Sequence, residues 1–390
     1  MTLPPLALYV HVPWCVRKCP YCDFNSHAAA PGALPEEAYI DALIADLEAD
    51  LPLVANRTLT SIFIGGGTPS LFSGEAYARL LSAIKSRVPL DEAIEITLEA
   101  NPGTVERVHF EGYRAAGINR LSLGVQSFDD AALERLGRIH GGHDAEQAVA
   151  LARRAGFDNL NIDLMHGLPG QSVAGAMTDI ERALALTPEH LSWYQLTLEP
   201  NTVFHARPPV LPEEEVLADI QDAGHDRLET AGLARYEISA YARPGRASRH
   251  NLNYWHFGDY LGIGAGAHGK LSAPDGNGGL AIERRWKTRH PDDYLRRFND
   301  PRGFVGGHRS IPADERPLEF LMNALRLVEG VPRHEWKIRT GLDEAILDAH
   351  TERAQQMGLL ERGPTQLKAT PQGLLFLNDL LAMCDEADAT

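Results

Sequence analysis

The chain has 390 residues, 44% of them hydrophobic and 23% charged, with a formal net charge of −16. This length suits one large domain, or a large one with a small companion. The acidic balance argues against a nucleic-acid or anionic-membrane surface, and no run of about 18 apolar residues offers a membrane span. No basic residue precedes Arg17, so the start lacks the charged region of a signal peptide, and a cytoplasmic protein is expected.

In chain order, strand-like runs fall at 7–12, 60–64, 94–99, 120–125, 160–165 and 191–198. Helix-period stretches separate them at 35–51, 75–87, 105–116, 143–155, 173–186 and 213–231. Two of these helices close on a glycine stop, at Gly117 and Gly156. Strand–helix alternation implies right-handed βαβ units around a parallel sheet. No G-x-G-x-x-G turn follows the first strand, which favours a partial (β/α)6 TIM-type barrel over a nucleotide-binding sheet. Chemistry then belongs at the C-terminal strand ends, and polar motifs fall there on five successive strands. They are the cysteine loop, GGGTPS, Glu99–Asn101, Gln126 and Asp163. After about residue 243 the sequence becomes rich in glycine and aromatics (RHNLNYWHFGDYLGIGAGAHG). From about 312, helices are expected at 313–329, 343–356 and 372–385, with a hairpin near LLERGPTQLKAT, as in a winged-helix-like module. The expected division is 1–240 for the barrel, 241–305 for an extension packed on it, and 306–390 for a helical C-terminal domain.

Three of the four cysteines fall within eight residues, as Cys15-x3-Cys19-x2-Cys22. That spacing makes a poor disulfide framework and a good metal or cluster loop. Three thiolates can hold three irons of a [4Fe–4S] cubane and leave the fourth iron open. Such an iron can chelate the amino and carboxylate groups of S-adenosylmethionine, and an electron passed through the cluster can cleave the sulfonium. The competing reading is a zinc site with His11 or His27 as fourth ligand, but the usual second cysteine pair is missing. Cys384 reads as an unremarkable thiol on a helix.

Glycines at 65–67 let backbone approach a ligand closely, and Thr68 adds a hydroxyl. Glu99 ends an apolar strand, where a carboxylate is expected to hold an ammonium or ribose hydroxyls. Gln126, Asp163 and Arg138 occupy comparable rim positions, with Arg138 expected to close the helix after the fourth strand. For these residues a purely structural hydrogen bond or a surface ion pair is equally compatible with the sequence.

With the cysteine loop, GGGTPS, LEANPG, LSLGVQSF, NIDLMHGLPGQ and HNLNYW, nearly the whole chain resembles the radical SAM superfamily. Within it, the resemblance is to the branch of oxygen-independent coproporphyrinogen III oxidase and a related haem chaperone. The resemblance implies that Gly66, Gly67 and Thr68 touch the methionyl part of S-adenosylmethionine. It implies cofactor contacts for Glu99, Gln126, Arg138 and Asp163, and roles for Tyr9 and for Tyr21, the latter near the adenine. The oxidase carries a further cysteine two residues after the third ligand, where this chain has Phe24, and a longer N-terminal extension. Phe24 and HNLNYW match the haem chaperone instead, implying haem binding, acceptor haemoproteins, and an electron donor for the cluster. Haem needs an axial ligand beside an apolar cleft. His250, next to Tyr254 and Trp255, is the first candidate, followed by His268 and His166. The C-terminal module is left to homodimer formation or acceptor docking.

Overall fold

A computed structural model describes the chain except Met1, Ala30, Pro31, Ala33, residues 104–108, Asn277 and residues 386–390. Six parallel strands form in sequence order: β1 (Leu6–Val12), β2 (Leu59–Gly66), β3 (Leu90–Ala100), β4 (Arg120–Gln126), β5 (Leu160–His166) and β6 (His190–Gln195). Their central residues (Leu8, Val10, Ile62, Ile64, Leu98, Leu121, Leu123, Ile162) are buried, as expected for strands packed on both faces. The crossover helices are α1 (Glu36–Asp50), α2 (Gly74–Lys85), α3 (Phe110–Ala116), α4 (Asp130–Arg135), α5 (Gly142–Arg154), α6 (Val173–Ala185) and α7 (Glu214–Thr230). Gly117 ends α3 in the left-handed region (φ 105°), a conformation that favours glycine. The start expected for α3 at 105 lies partly outside the described residues.

The sheet does not stop at six strands. Beyond β6 it adds two short antiparallel strands, β7 (Ala234–Glu237) and β8 (Ala240–Ala242), with β8 against β6. On its other side, after helix α8 (Arg249–Trp255), strand β9 (Asp259–Ile263) lies parallel to β1, pairing Leu6 with Asp259 and Val10 with Ile263. Strands β10 (His268–Pro274), β11 (Leu280–Lys287) and β12 (Val305–Ser310) follow antiparallel. Among the described residues the result is one twelve-stranded sheet in the order β12-β11-β10-β9-β1-β2-β3-β4-β5-β6-β8-β7. Strand β1 is therefore central. A buried ion cluster pins β9: Asp259 takes Lys270 Nζ at 3.0 Å and Arg57 Nη1 at 2.8 Å. Lys287 bridges Asp46 and Asp50 of α1, each at 2.6 Å.

The C-terminal helices α9 (Arg316–Ala324), α10 (Glu335–Thr340) and α11 (Glu344–Gln356) enclose a separate core around Phe320, Trp336 and Leu347, to which Leu280 and Ile282 of β11 contribute. Val331–Pro332 pairs with Gln366–Leu367, and Leu360 bridges Ala369, giving the small β-wing. The helix expected over 372–385 breaks at Phe376 into α12 (Pro371–Leu375) and α13 (Leu377–Asp385). Cys384 is buried in this core, its thiol pushed up to about 12 by burial.

Candidate cofactor pocket and cluster loop

The cysteine loop leaves β1 at Val12 and is closed at its base. Trp14–Cys15 pairs in parallel with His27–Ala28, the Ala29 N–H donates to Cys15 O at 2.9 Å, and a turn joins Cys22 N to Cys19 O at 3.1 Å. All three thiols are free and partly exposed. The next strand end locks onto the loop through its backbone: Gly67 N donates to Val12 O and Thr68 N to Trp14 O, both at 2.7 Å. This approach explains Gly67, because a Cβ there would lie 2.5 Å from the Trp14 carbonyl oxygen. At Gly66 a Cβ would strike the His11 ring at 2.6 Å, and φ is +119°.

From there, contacts run strand to strand around the rim. Gly66 N–H donates to Glu99 Oε2 at 3.0 Å. Burial, reinforced by the neighbouring Asp163 charge, pushes the Glu99 carboxyl up to about 8. Asp163, itself raised by burial, accepts from Asn161 Nδ2 at 2.7 Å and Ser122 Oγ at 3.0 Å. Gln126 sits at φ +71°, a strained conformation for a non-glycine residue, and accepts from the Tyr194 hydroxyl at 2.7 Å. Arg138 follows α4 and reaches back as expected. One guanidinium nitrogen donates to Gly124 O and Asn101 Oδ1, each at 2.6 Å, and the other lies 3.7 Å from Cys19 Sγ. Asn101 Nδ2 in turn donates to Thr68 Oγ1 at 3.1 Å. Tyr21 packs beside a small apolar cluster containing Leu136, Leu168 and Phe204, with its hydroxyl pushed up by burial. Tyr9 lies on the lumen side near Glu99 and donates to His11 Nδ1 at 2.9 Å.

These contacts join Cys15, Cys19, Gly66, Gly67, Thr68, Glu99, Gln126, Arg138 and Asp163 into one C-terminal rim. Among the described residues, no three His, Cys, Asp or Glu side chains converge on a position for a single metal ion. His11 has both ring nitrogens engaged, Nδ1 by the Tyr9 hydroxyl and Nε2 by Asn25 O, each at 2.9 Å, and His27 Nε2 is engaged by Asn25 Oδ1 at 3.1 Å. A cubane makes a different demand, one thiolate per iron, which three thiols on a short loop fit. The Gly65–Thr68 turn and the cationic Arg138 beside Cys19 fit a cofactor carrying a carboxylate and an ammonium.

His250 stands apart from the rim. It is buried on α8, with Nδ1 3.2 Å from Ser61 Oγ and Nε2 3.2 Å from the Tyr254 hydroxyl. Its ring stacks on Phe63 at 5.0 Å, and burial pushes the imidazole down to about 3. Both ring nitrogens are thus engaged, and an iron would have to displace one of these partners. His166 is buried against Trp193 at 4.3 Å. His268, in contrast, is exposed on a cleft of about 540 Å³ whose walls include Phe24, Tyr254, Tyr260, Trp286 and Arg289.

Asn101, which sequence offers only as the end of the Glu99–Asn101 motif, ties Thr68 to Arg138. Two further contributors carry little or no sequence signal. Tyr194 holds Gln126 and is signalled only by its place near the end of β6. Asn25 joins the cysteine loop to distant chain: its Nδ2 donates to Ala265 O and Arg289 O, each at 2.9 Å, and nothing in local sequence signals that.

Fold and rim together define a radical SAM protein, and the family model described as "Radical SAM superfamily" matches residues 9–183, with "HemN C-terminal domain" matching 311–376. Among curated proteins, the chain is 50% identical to "Heme chaperone HemW" of Escherichia coli over 381 residues, covering 98% of each. It is also 50% identical to the protein of that name from Haemophilus influenzae over 385 residues, again covering 98% of each. The chain belongs to the family of the heme chaperone HemW. In fold it is similar to the solved coproporphyrinogen III oxidase (HemN) of Escherichia coli, with a TM-score of 0.80, 22% identity, and 98% and 90% of the two chains covered.

Proposed function

We propose that this protein is a haem chaperone, binding haem and passing it to acceptor haemoproteins. The observation that carries the reading is half-identity along essentially the full length to relatives named for that activity. The likeness to the oxidase, at 22% identity, is one of fold, and Phe24 stands where the oxidase is expected to have its further cysteine.

In this reading Cys15, Cys19 and Cys22 hold a [4Fe–4S] cluster, which with S-adenosylmethionine supplies one-electron redox chemistry when bound. Gly66, Gly67 and Thr68 offer backbone and hydroxyl contacts to the cofactor's methionyl part. Glu99 balances its ammonium, Arg138 offsets thiolate charge beside Cys19, and Gln126 and Asp163 meet the ribose and neighbouring polar groups. Tyr21, beside Arg138, packs near the adenine, and Tyr9 closes the lumen side by holding His11. Residues 1–240 serve the cluster and cofactor, 241–305 the haem, and 306–390 docking of an acceptor or a second copy of the chain. The protein works in the cytoplasm with an electron donor for the cluster. No helix among the described residues is long and apolar enough to cross a membrane.

The test is anaerobic reconstitution followed by haem titration beside a coproporphyrinogen turnover assay. Stoichiometric haem binding and transfer to an apo-haemoprotein, without turnover, are expected. Formation of protoporphyrinogen at a rate matching the oxidase, with no haem bound, would replace this reading with the enzymatic one.

A further inference from the structure

The chaperone reading leaves open where haem sits, and the residue first expected to hold its iron is enclosed on every side. His250 has both ring nitrogens engaged, by Ser61 and Tyr254, and lies beneath the Phe63 ring. A haem plane cannot approach it without removing Tyr254, whose ring covers it edge-on at 4.8 Å.

The far side of Tyr254 faces the cleft of about 540 Å³, within the roughly 300–1,000 Å³ common for small-molecule sites. Its walls carry the three elements that a planar, largely apolar, iron-bearing dicarboxylate requires. The first is aromatic surface: Phe24 is 60% exposed there, and Trp286, Tyr254 and Tyr260 line the same space. The second is a free imidazole. His268, at the start of β10, is exposed and has no hydrogen-bond partner among the described residues; its one ring neighbour is Trp286, stacked at 6.4 Å. The third is a cation at the edge. Arg289 is exposed on the cleft, and its weak 3.4 Å contact to Asn25 leaves both terminal guanidinium nitrogens for carboxylates. Asp23 also lines the cleft, so its charge directs the carboxylates to the Arg289 edge.

The cleft also abuts the cofactor pocket. His11 lines it, and the same His11 ring is what a Cβ at Gly66 would strike. Asn25, at the end of the cysteine loop, forms part of its wall.

Resting on the chaperone reading, we propose that haem binds in this cleft with His268 as its iron ligand, Phe24 against the macrocycle, Trp286 edge-on to it beside the ligand ring, and Arg289 on a propionate. His250 then lies behind Tyr254, outside the lining of the cleft, and does not touch the haem.

The test uses the reconstituted full-length protein, titrated with ferric haemin and separately with iron-free protoporphyrin IX. His268→Ala should weaken haemin binding by roughly tenfold or more, shift the Soret band and change the iron EPR signal. Added imidazole should restore that iron signature. Iron-free protoporphyrin should bind His268→Ala as it binds the unmodified chain, because the aromatic walls remain. It should bind Trp286→Ala less tightly. His250→Ala should keep the iron signature of the unmodified chain. Unchanged haemin spectra in His268→Ala, or loss of iron coordination in His250→Ala with His268 intact, would overturn the assignment and leave the chaperone reading standing. Failure of the unmodified chain to bind haemin at all would overturn both.

Discussion

Glu99→Gln isolates the charge at the centre of the cofactor pocket. The wild-type carboxyl is raised from 4.5 to about 8, chiefly by burial and then by Asp163. Between those values the folded chain holds a proton that the unfolded chain has released. The Glu99 contribution therefore leaves folding most favourable at or below about pH 4.5, and stability falls as pH rises through the window, levelling above about 8. At about 1.4 kcal/mol per pH unit the ceiling is about 5 kcal/mol; residual access to water from the lumen brings the expectation to about 2 kcal/mol. Glutamine keeps an oxygen for the Gly66 N–H, now 3.0 Å from Glu99 Oε2, and does not titrate. Urea unfolding of the cofactor-free variant and wild type at pH 5, 6, 7 and 8 should give a difference that grows in the variant's favour toward pH 8. If S-adenosylmethionine places its ammonium on this carboxyl, as proposed, the wild type should release nearly one proton on binding at pH 7. Calorimetry in buffers of different ionisation enthalpy reads that proton, and Glu99→Gln should release none and bind at least tenfold more weakly. Parallel stability curves, together with equal proton release, would refute the assignment of this carboxylate to the ammonium.

Gly67→Ala should destabilise the chain by about 2 kcal/mol or more, since its Cβ meets the Trp14 carbonyl at 2.5 Å; iron and sulfide content after reconstitution should fall with it. Arg138→Lys keeps the charge but cannot span Gly124 O, Asn101 Oδ1 and Cys19 at once. We expect full iron content with roughly tenfold weaker cofactor binding, measured by equilibrium dialysis. Asp259→Leu strips Lys270 and Arg57 of their buried partner and should cost about 3–5 kcal/mol in urea unfolding.

The six parallel strands were readable because each is a short, largely apolar run followed by a helix-period stretch. That the rim residues gather at one end of the sheet was readable because most of them close an apolar strand at its C-terminal end. What sequence could not convey is long-range pairing. Strands β10 and β12 contain glycine, β11 is rich in charge, and all three join the sheet through β9, which docks beside β1. The break at Phe376 is invisible to periodicity, since an apolar residue there fits a continuous helix. In sequence His250 is the first candidate for haem because it sits between polar and aromatic neighbours. The same neighbours, once folded, occupy both of its nitrogens, while His268, in a glycine-rich stretch, is left bare.

The central position of β1 also bears on biosynthesis. One edge of this strand is completed by β9, beginning at residue 259, and Asn25 finds its partners only at residues 265 and 289. At about 5–20 residues per second, the cysteine loop leaves the ribosome roughly 10–50 seconds before the segments that anchor its far end. During that interval the loop bearing the three thiols follows a strand with an open edge. Truncation before residue 259 removes a neighbour of the strand from which the cysteine loop leaves.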